Sequence, residues 1–440
     1  MCLIDTTPHL HTALPSLKLE AVTAINQGIA QIKGSGGHWI TADLVLAIFA
    51  LGTLERWENK KTSTSEQSWL EVARELLCLW KSSLSALDAL FHSHFCQALT
   101  YWEMLETIAR RGDAPTNLAR RRPFCCRQYL QPHEQTSQEN DAPVHGPMPY
   151  ESGQSLLGTR PNSWCGVSNE VIDLFGQALA LCRSSRQQNQ STGRDAATDT
   201  SYDIALAKEV QGELLALDFK KLITLEEERG FPVQTRDGNT PVSHLLQTAE
   251  AYRLASLLQL HLAFGSLPLE PWRRKDNADV IAVDDAKSYV IESTGDSASD
   301  CGRRTLFLHK LAMQLVATLN RIPADSGSSS IHPMLYLSAG AGLRFENLVN
   351  TLGVSSVQSS SETGNSSSRT FPRLNDDICR ARSLVLTRLA TLQGKMPRKA
   401  GKNLLKLIEA IWLGYDNQQV ATPQVHWLNI MSRHRKDVDQ

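Results

Sequence analysis

The chain holds 440 residues, with 45 Lys plus Arg against 46 Asp plus Glu and a formal charge of −1. Hydrophobic residues make up 41% and charged residues 21%, so there is apolar material for a sizeable core and wholesale disorder is excluded. The neutral balance excludes a surface that grips nucleic acid as a whole and leaves room only for local basic patches.

The start, Met1-Cys2-Leu3-Ile4-Asp5, lacks the basic and apolar regions of a secretory signal. The longest apolar run near the front, Leu44 to Leu51, falls far short of the ~20 residues a spanning helix needs, so no membrane span is expected. Nine cysteines lie scattered at positions 2, 78, 96, 125, 126, 165, 182, 301 and 379. Such an odd, dispersed set predicts free thiols in a reducing compartment and no disulfide framework.

In chain order, residues 1–38 read as an N-terminal segment. Thr41 then caps a helix whose apolar positions Leu44, Val45, Ile48, Phe49 and Leu51 recur at helical spacing. Trp69, Leu70, Val72, Ala73, Leu76, Leu77 and Trp80 continue that period. Residues 84–111 predict a long helix through Leu87, Leu90, Phe91, Phe95, Leu99, Trp102 and Leu105. Residues 168–182 predict another, with Ser168 as cap. Further helices are expected at 203–229, 243–264, 303–321, 376–393, 401–414 and 424–432. The segment 243–264 is apolar on most faces, which marks a central, buried helix. The best strand candidates, Val280 to Val283 and Tyr289 to Ile291, are short and bounded by charges. The fold class is all-α: a large multi-helix domain over 39–432, followed by a basic and polar tail at 433–440.

Four stretches interrupt the helices. Residues 131–150 are proline-rich, 184–201 are rich in Ser, Gln, Asp and Thr, 325–330 hold four serines, and 355–369 hold eight. Their composition cannot offset the entropy of ordering, so they are expected as loops or disordered insertions.

Chemical motifs are weak throughout. Gly340-Ala341-Gly342 follows an apolar run, but Phe345 stands where a dinucleotide-binding turn needs its third glycine. Small residues that permit close helix packing explain it better. Gly153-Gln154-Ser155-Leu156-Leu157-Gly158 misses the nucleophile elbow, because Leu157 occupies the position of the second glycine. The pairs His9/His11 and His92/His94 stand two residues apart, which on a helix points them to different sides and away from a shared ion. Cys125-Cys126 is vicinal and lacks the spacing for a shared zinc. Leu254-Ala255-Ser256-Leu257-Leu258 has the form of a docking helix, but core packing is the expectation. No catalytic, cofactor-binding or metal-binding residues are therefore assigned.

Basic groups are more suggestive. Lys395, Arg398, Lys399 and Lys402 place four cations within eight residues, a candidate nuclear-import or phosphate-contact cluster. Arg120-Arg121-Arg122, Arg273-Arg274-Lys275 and Arg433, Arg435 and Lys436 are further clusters.

The order of segments resembles the fungal-specific transcription factor domain of the second type, the helical regulatory region of fungal zinc-cluster regulators. Thr41 to Ile48 is similar to an early family helix. Ser155-Leu156-Leu157-Gly158 followed by Ser168 to Phe175 resembles the family centre. Ala249 to Leu258 is the most specific match, and Trp427 to Met431 resembles the closing helix. Ile331 to Gly340 resembles the family's tryptophan-proline-leucine-phenylalanine stretch, with His332 replacing the tryptophan. The resemblance covers roughly residues 40–432.

It departs from the family in one respect. A zinc-cluster head needs six closely spaced cysteines, and here only Cys2 precedes Cys78. Zinc is expected only with such a head. The resemblance implies a nuclear regulator of a metabolic or secondary-metabolite gene cluster. It would act through protein partners or as a homodimer, and would touch DNA weakly or through a partner. A cytoplasmic helical scaffold that binds peptides is the alternative, and an enzyme with a dispersed site is a third.

Overall fold

The computed structural model describes residues 8–34, 40–58, 68–109, 166–188, 194–228, 233, 237–269, 297–345, 370–396, 398–417 and 426–431. The expectations for 131–150 and 355–369, the two strand candidates, the Gly153–Gly158 motif and the Cys125-Cys126 pair lie outside the described residues. So do the basic groups at 120–122, 273–275 and 433–436.

Among the described residues the regular structure is all helix. In order these are α1 (Pro8–Gly34), α2 (Ala42–Glu58), α3 (Trp69–Trp80), α4 (Ala86–Ala109), α5 (Glu170–Gln188), α6 (Arg194–Ala216), α7 (Phe219–Glu228) and α8 (Val242–Ala263). They continue as α9 (Ser297–Asn320), α10 (His332–Gly342), α11 (Thr370–Gln393), α12 (Arg398–Asp416) and α13 (427–431). No described helix is long and apolar enough to cross a membrane.

The chain divides into two compact units. The first comprises Met1–Arg110, Asn117–Gly176 and Asp218–Ala249, and the second Arg111–Thr116, Gln177–Leu217 and Glu250–Gln440. Helices α5 and α8 thus each contribute one part to either unit.

In the first unit, α1 packs on α2, and α2 and α4 both pack on α3. Thr41 caps α2 as expected, its Oγ1 accepting from Leu44 N at 3.4 Å. Ser85 and Asp88 close the start of α4 reciprocally, with Asp88 N donating to Ser85 Oγ and Ser85 Oγ donating to the Asp88 carboxylate. The inward faces supply Val45, Ile48, Leu70, Leu76, Trp80, Phe95 and Leu99 to one apolar core. Phe49 bridges Phe95 and Trp102 at ring separations of 5.4 and 5.3 Å. Residues 8–34, unassigned to any helix from sequence, form α1, whose Ile25 and Ile32 enter the same core.

Gly166 has φ +70, and a Cβ there would stand 2.5 Å from the Leu245 carbonyl oxygen. Both the left-handed backbone and the close approach require glycine. The cap of α5 falls at Asn169, one residue past the expected Ser168: Ile172 N and Asp173 N donate to the Asn169 carbonyl. Ser168 Oγ accepts from Glu170 N at 3.2 Å, and Asn169 Nδ2 donates to Thr100 Oγ1 at 3.0 Å.

In the second unit, residues 251–260 of α8 are buried without a break, and Leu254, Leu257 and Leu258 are at most 2% exposed. The docking-helix form is therefore core. Helix α10 packs against α9, α11 and α12. It was not foreseen as a helix, since it is apolar on every side and shows no face; its burial from Leu335 to Gly342 explains why. Gly340 and Gly342 let neighbours close in. A Cβ on Gly340 would lie 2.3 Å from Ile408 Cδ1, and one on Gly342 would lie 2.7 Å from Ala312 Cβ.

Two of the expected breaks are corrected. Within 184–201, α5 continues to Gln188 and α6 starts at Arg194, with Ser185 buried. Helical packing of α5 prevails there over polar composition. At 325–330, Ser326, Ser328 and Ser329 are at most 3% exposed, and Gly327–Ile331 forms a 3₁₀ turn. The serines satisfy one another and their neighbours: Ser326 Oγ pairs with Ser328 Oγ at 3.2 Å, and Ser328 Oγ with His332 Nε2 at 3.3 Å. Hydrogen bonding, absent from a composition argument, orders the turn. The single helix expected at 203–229 is two, because Asp218 caps α7 by accepting from Lys221 N at 3.1 Å.

Candidate interaction site

Helices α9 to α12 of the second unit carry the residues that sequence singled out and several that it did not. Buried ties set their geometry. Arg382 on α11 reaches Asp416 of α12 with two parallel bonds of 2.7 and 2.9 Å, and its Nε donates to the Leu343 carbonyl just past α10. Its guanidinium also lies 4.1 Å from the Phe345 ring centroid and 5.0 Å from that of Trp412. Trp412 in turn donates Nε1 to the Gly340 carbonyl at 3.0 Å. The orphan carbonyls at the end of α10 are thereby satisfied by side chains from α11 and α12.

A second set ties α8 to α10 and α13. Trp427 Nε1 donates to Gln259 Oε1, Gln259 Nε2 donates to the Ser338 carbonyl at 3.3 Å, and Cys182 Sγ donates to the Gln259 carbonyl at 3.3 Å. A third set closes α8: the Arg304 guanidinium donates to the carbonyls of His261, Phe264 and Gly265. Burial, and secondly the Arg304 charge, pushes the His261 imidazole down to about 4. His309 is held at about 4, chiefly by burial, with Asp377 opposing the shift and Lys310 adding to it. Both rings are neutral at pH 7.

The basic cluster stands at the turn between α11 and α12. Lys395 is exposed, yet its Nζ donates to the Ala324 carbonyl and to Ser329 Oγ, fastening the turn to the serine segment. Lys402 is exposed on α12. Arg398 and Lys399 open α12, a helix with no acid in its first turn. Cations in a first turn oppose the helix dipole and give a helix no support. The side chains of Arg398 and Lys399 lie outside the described residues.

Farther back along the chain, α11 and the end of α9 border a shallow cleft of about 620 Å³. It is lined by Cys379, Arg380, Ser383, Leu384, Thr387 and Arg388 of α11 and by Asn320. Arg388 Nη2 donates to the Asn320 carbonyl and to its Oδ1, at 3.1 and 2.9 Å.

The histidine pair at 92 and 94 diverges: His92 is buried against the Leu77 carbonyl at 2.9 Å, and His94 is exposed. The side chains of His9 and His11 lie outside the described residues. No group of three or more His, Cys, Asp or Glu is placed to hold a metal among the described residues. Sequence reasoning missed Gln259, Arg304 and Arg382. The first had a signal, an amide between Leu258 and Leu260 in an apolar helix, which must find partners when buried. The two arginines had none, since their partners lie 34 to 43 residues away.

The family model of the fungal-specific transcription factor domain matches residues 8–438. That family is a transcription factor domain and not an enzyme family. No curated protein matches the chain. No solved structure matches it.

Proposed function

Because the chain belongs to the fungal-specific transcription factor domain family, we propose that it is a nuclear regulator of transcription that works through protein partners. The match over residues 8–438, nearly the whole sequence, carries this reading. Its genes would be those of a metabolic or secondary-metabolite cluster.

Sequence-specific base reading needs side chains presented to a groove. The 440 residues hold no six closely spaced cysteines that could build a zinc-cluster head. Base reading is then the task of a partner or of a head joined to this chain, and zinc enters only with such a head. Helices α1 to α13 would supply the regulatory body. Lys395, Arg398, Lys399 and Lys402 would serve nuclear import or phosphate contact. The two cations that open α12 favour that role, because the helix itself draws no stability from them.

Fluorescent tagging and a gel shift test this together. Nuclear signal in the wild type, lost when Arg398, Lys399 and Lys402 become Gln, is the expected outcome. Purified chain should bind duplexes only weakly, with strong salt dependence and no sequence preference. Exclusion from nuclei under every growth condition would sink the regulator. Retention of one duplex at nanomolar concentration, with a scrambled duplex left free, would place base reading in this chain.

A further inference from the structure

We propose that the cleft along α11 is a docking groove for an acidic amphipathic helix of a partner protein. Six of the seven lining residues lie on α11 and fall into two rows with four-residue steps. Arg380, Leu384 and Arg388 form one row, and Cys379, Ser383 and Thr387 form the other. Ridges at this spacing accept the complementary ridge of a second helix, the commonest mode of helix packing.

Charge decides what the incoming helix carries. Two of the lining residues are cationic and none is acidic. Arg380 and Arg388 stand eight positions apart, or ~12 Å along the helix axis. Carboxylates seven or eight residues apart on a docked helix match that separation. Leu384 lies midway between them and supplies the apolar contact, with the thiol of Cys379 and the methyl of Thr387 in the second row. An amphipathic helix with a leucine flanked by two carboxylates satisfies all three features.

A phosphate backbone fits less well. Thr387 Oγ1 already donates to the Ser383 carbonyl, and Arg388 Nη2 already donates to Asn320. A phosphate backbone would leave Leu384, between the two arginines, without an apolar partner. The groove has a tied end at Asn320, which holds Arg388 in place and lowers the entropy cost of engaging it.

This inference rests on the proposal that the domain works through protein partners, and it can fail alone. Import and promoter association decide that proposal; titration of the purified full chain decides this one. The probe is a fluorescein-labelled 20-residue synthetic helix with a central Leu flanked by Glu residues eight positions apart. It should bind with saturable anisotropy, and the same peptide with Gln for Glu should bind roughly tenfold more weakly. Arg380→Glu, at an exposed position, should weaken the Glu probe by at least roughly tenfold and favour a probe with Lys at those positions. Thr387→Asp, in the second row, should weaken it as well, and Lys208→Gln, at an exposed position of α6, should not. Equal binding of the Glu and Gln probes, or no effect of Arg380→Glu in a variant of unchanged circular dichroism, would overturn the proposal. So would capture of labelled duplex DNA in place of the peptide, with loss of that capture in the same variants.

Discussion

Trp427 Nε1 donates to Gln259 Oε1 at 2.6 Å, a bond between residues 168 positions apart, and both side chains are fully buried. The bond anchors α13, a helix of five residues that could not stand alone. Gln259→Leu keeps the volume and removes the acceptor, leaving a buried indole N–H and the Ser338 carbonyl without that partner. A loss of about 1–3 kcal/mol is expected. Trp427→Ala removes the ring as well and should cost about 3–5 kcal/mol. Urea midpoints at constant m-value measure both; a neutral Gln259→Leu would mean that the amide contributes nothing to anchoring.

The two glycines of α10 should respond differently to alanine. On Gly342 the new methyl would stand 2.7 Å from Ala312 Cβ, which is fixed to its backbone. On Gly340 the obstacle is Ile408 Cδ1, the far end of a side chain that can turn. Gly342→Ala should therefore cost about 1–3 kcal/mol, and Gly340→Ala less. Gly212, inside α6, meets nothing within 4 Å, and alanine there should stabilise by about 0.5–1 kcal/mol. A reversed order in thermal unfolding would contradict the packing around α10.

Helix existence was legible where apolar residues repeat at three and four steps on one face, as in α3, whose buried set of Trp69, Leu70, Val72, Ala73, Leu76, Leu77 and Trp80 was read in full. Legibility failed at the two extremes. Helix α10 is buried on every side and presents no periodicity, while α1 exposes Leu17 and Leu19 and shows only a thin inward stripe. The serine turn at 326–331 failed for another reason: its order comes from hydrogen bonds to His332 and Lys395, which composition does not encode. At the candidate site the exposed cations were visible as a run of charge. The Arg382 hub was not, because it depends on residues that only the packing of α10 to α12 brings together.

Arg382 and Asp416 form a bidentate pair whose guanidinium is nearly buried and whose carboxylate is about one-third exposed. Lysine at 382 would keep the charge and lose the planar fork, the bond to the Leu343 carbonyl and the stacking on Phe345. Arg382→Lys should therefore destabilise by about 1–3 kcal/mol. A double-mutant cycle with Asp416→Asn should return a coupling of about 1 kcal/mol, since solvent reaches the carboxylate. A coupling indistinguishable from zero would assign the role of Arg382 to its carbonyl bond and ring contacts alone.

Two buried imidazoles give the second unit a pH-dependent stability. His261 and His309 are held at about 4, below the ordinary 6.5, mainly by burial. A depressed histidine binds its proton more readily in the unfolded chain, so unfolding takes up protons between those values. Stability is then full above pH 6.5, falls as pH drops from 6.5 to 4, and loses nothing further from these groups below 4. For His261, which is 2% exposed, the shift corresponds to about 3 kcal/mol over the whole window. His309 is less completely buried, and its share is smaller. His261→Phe keeps an aromatic ring beside Phe307, now 4.8 Å away edge-on, and removes the titration. Urea midpoints taken at steps from pH 7.5 to 4.5 should fall in the wild type and fall with a visibly shallower slope in the variant. Identical slopes in the two proteins would mean that the His261 ring is protonated as easily in the folded chain as in the unfolded one.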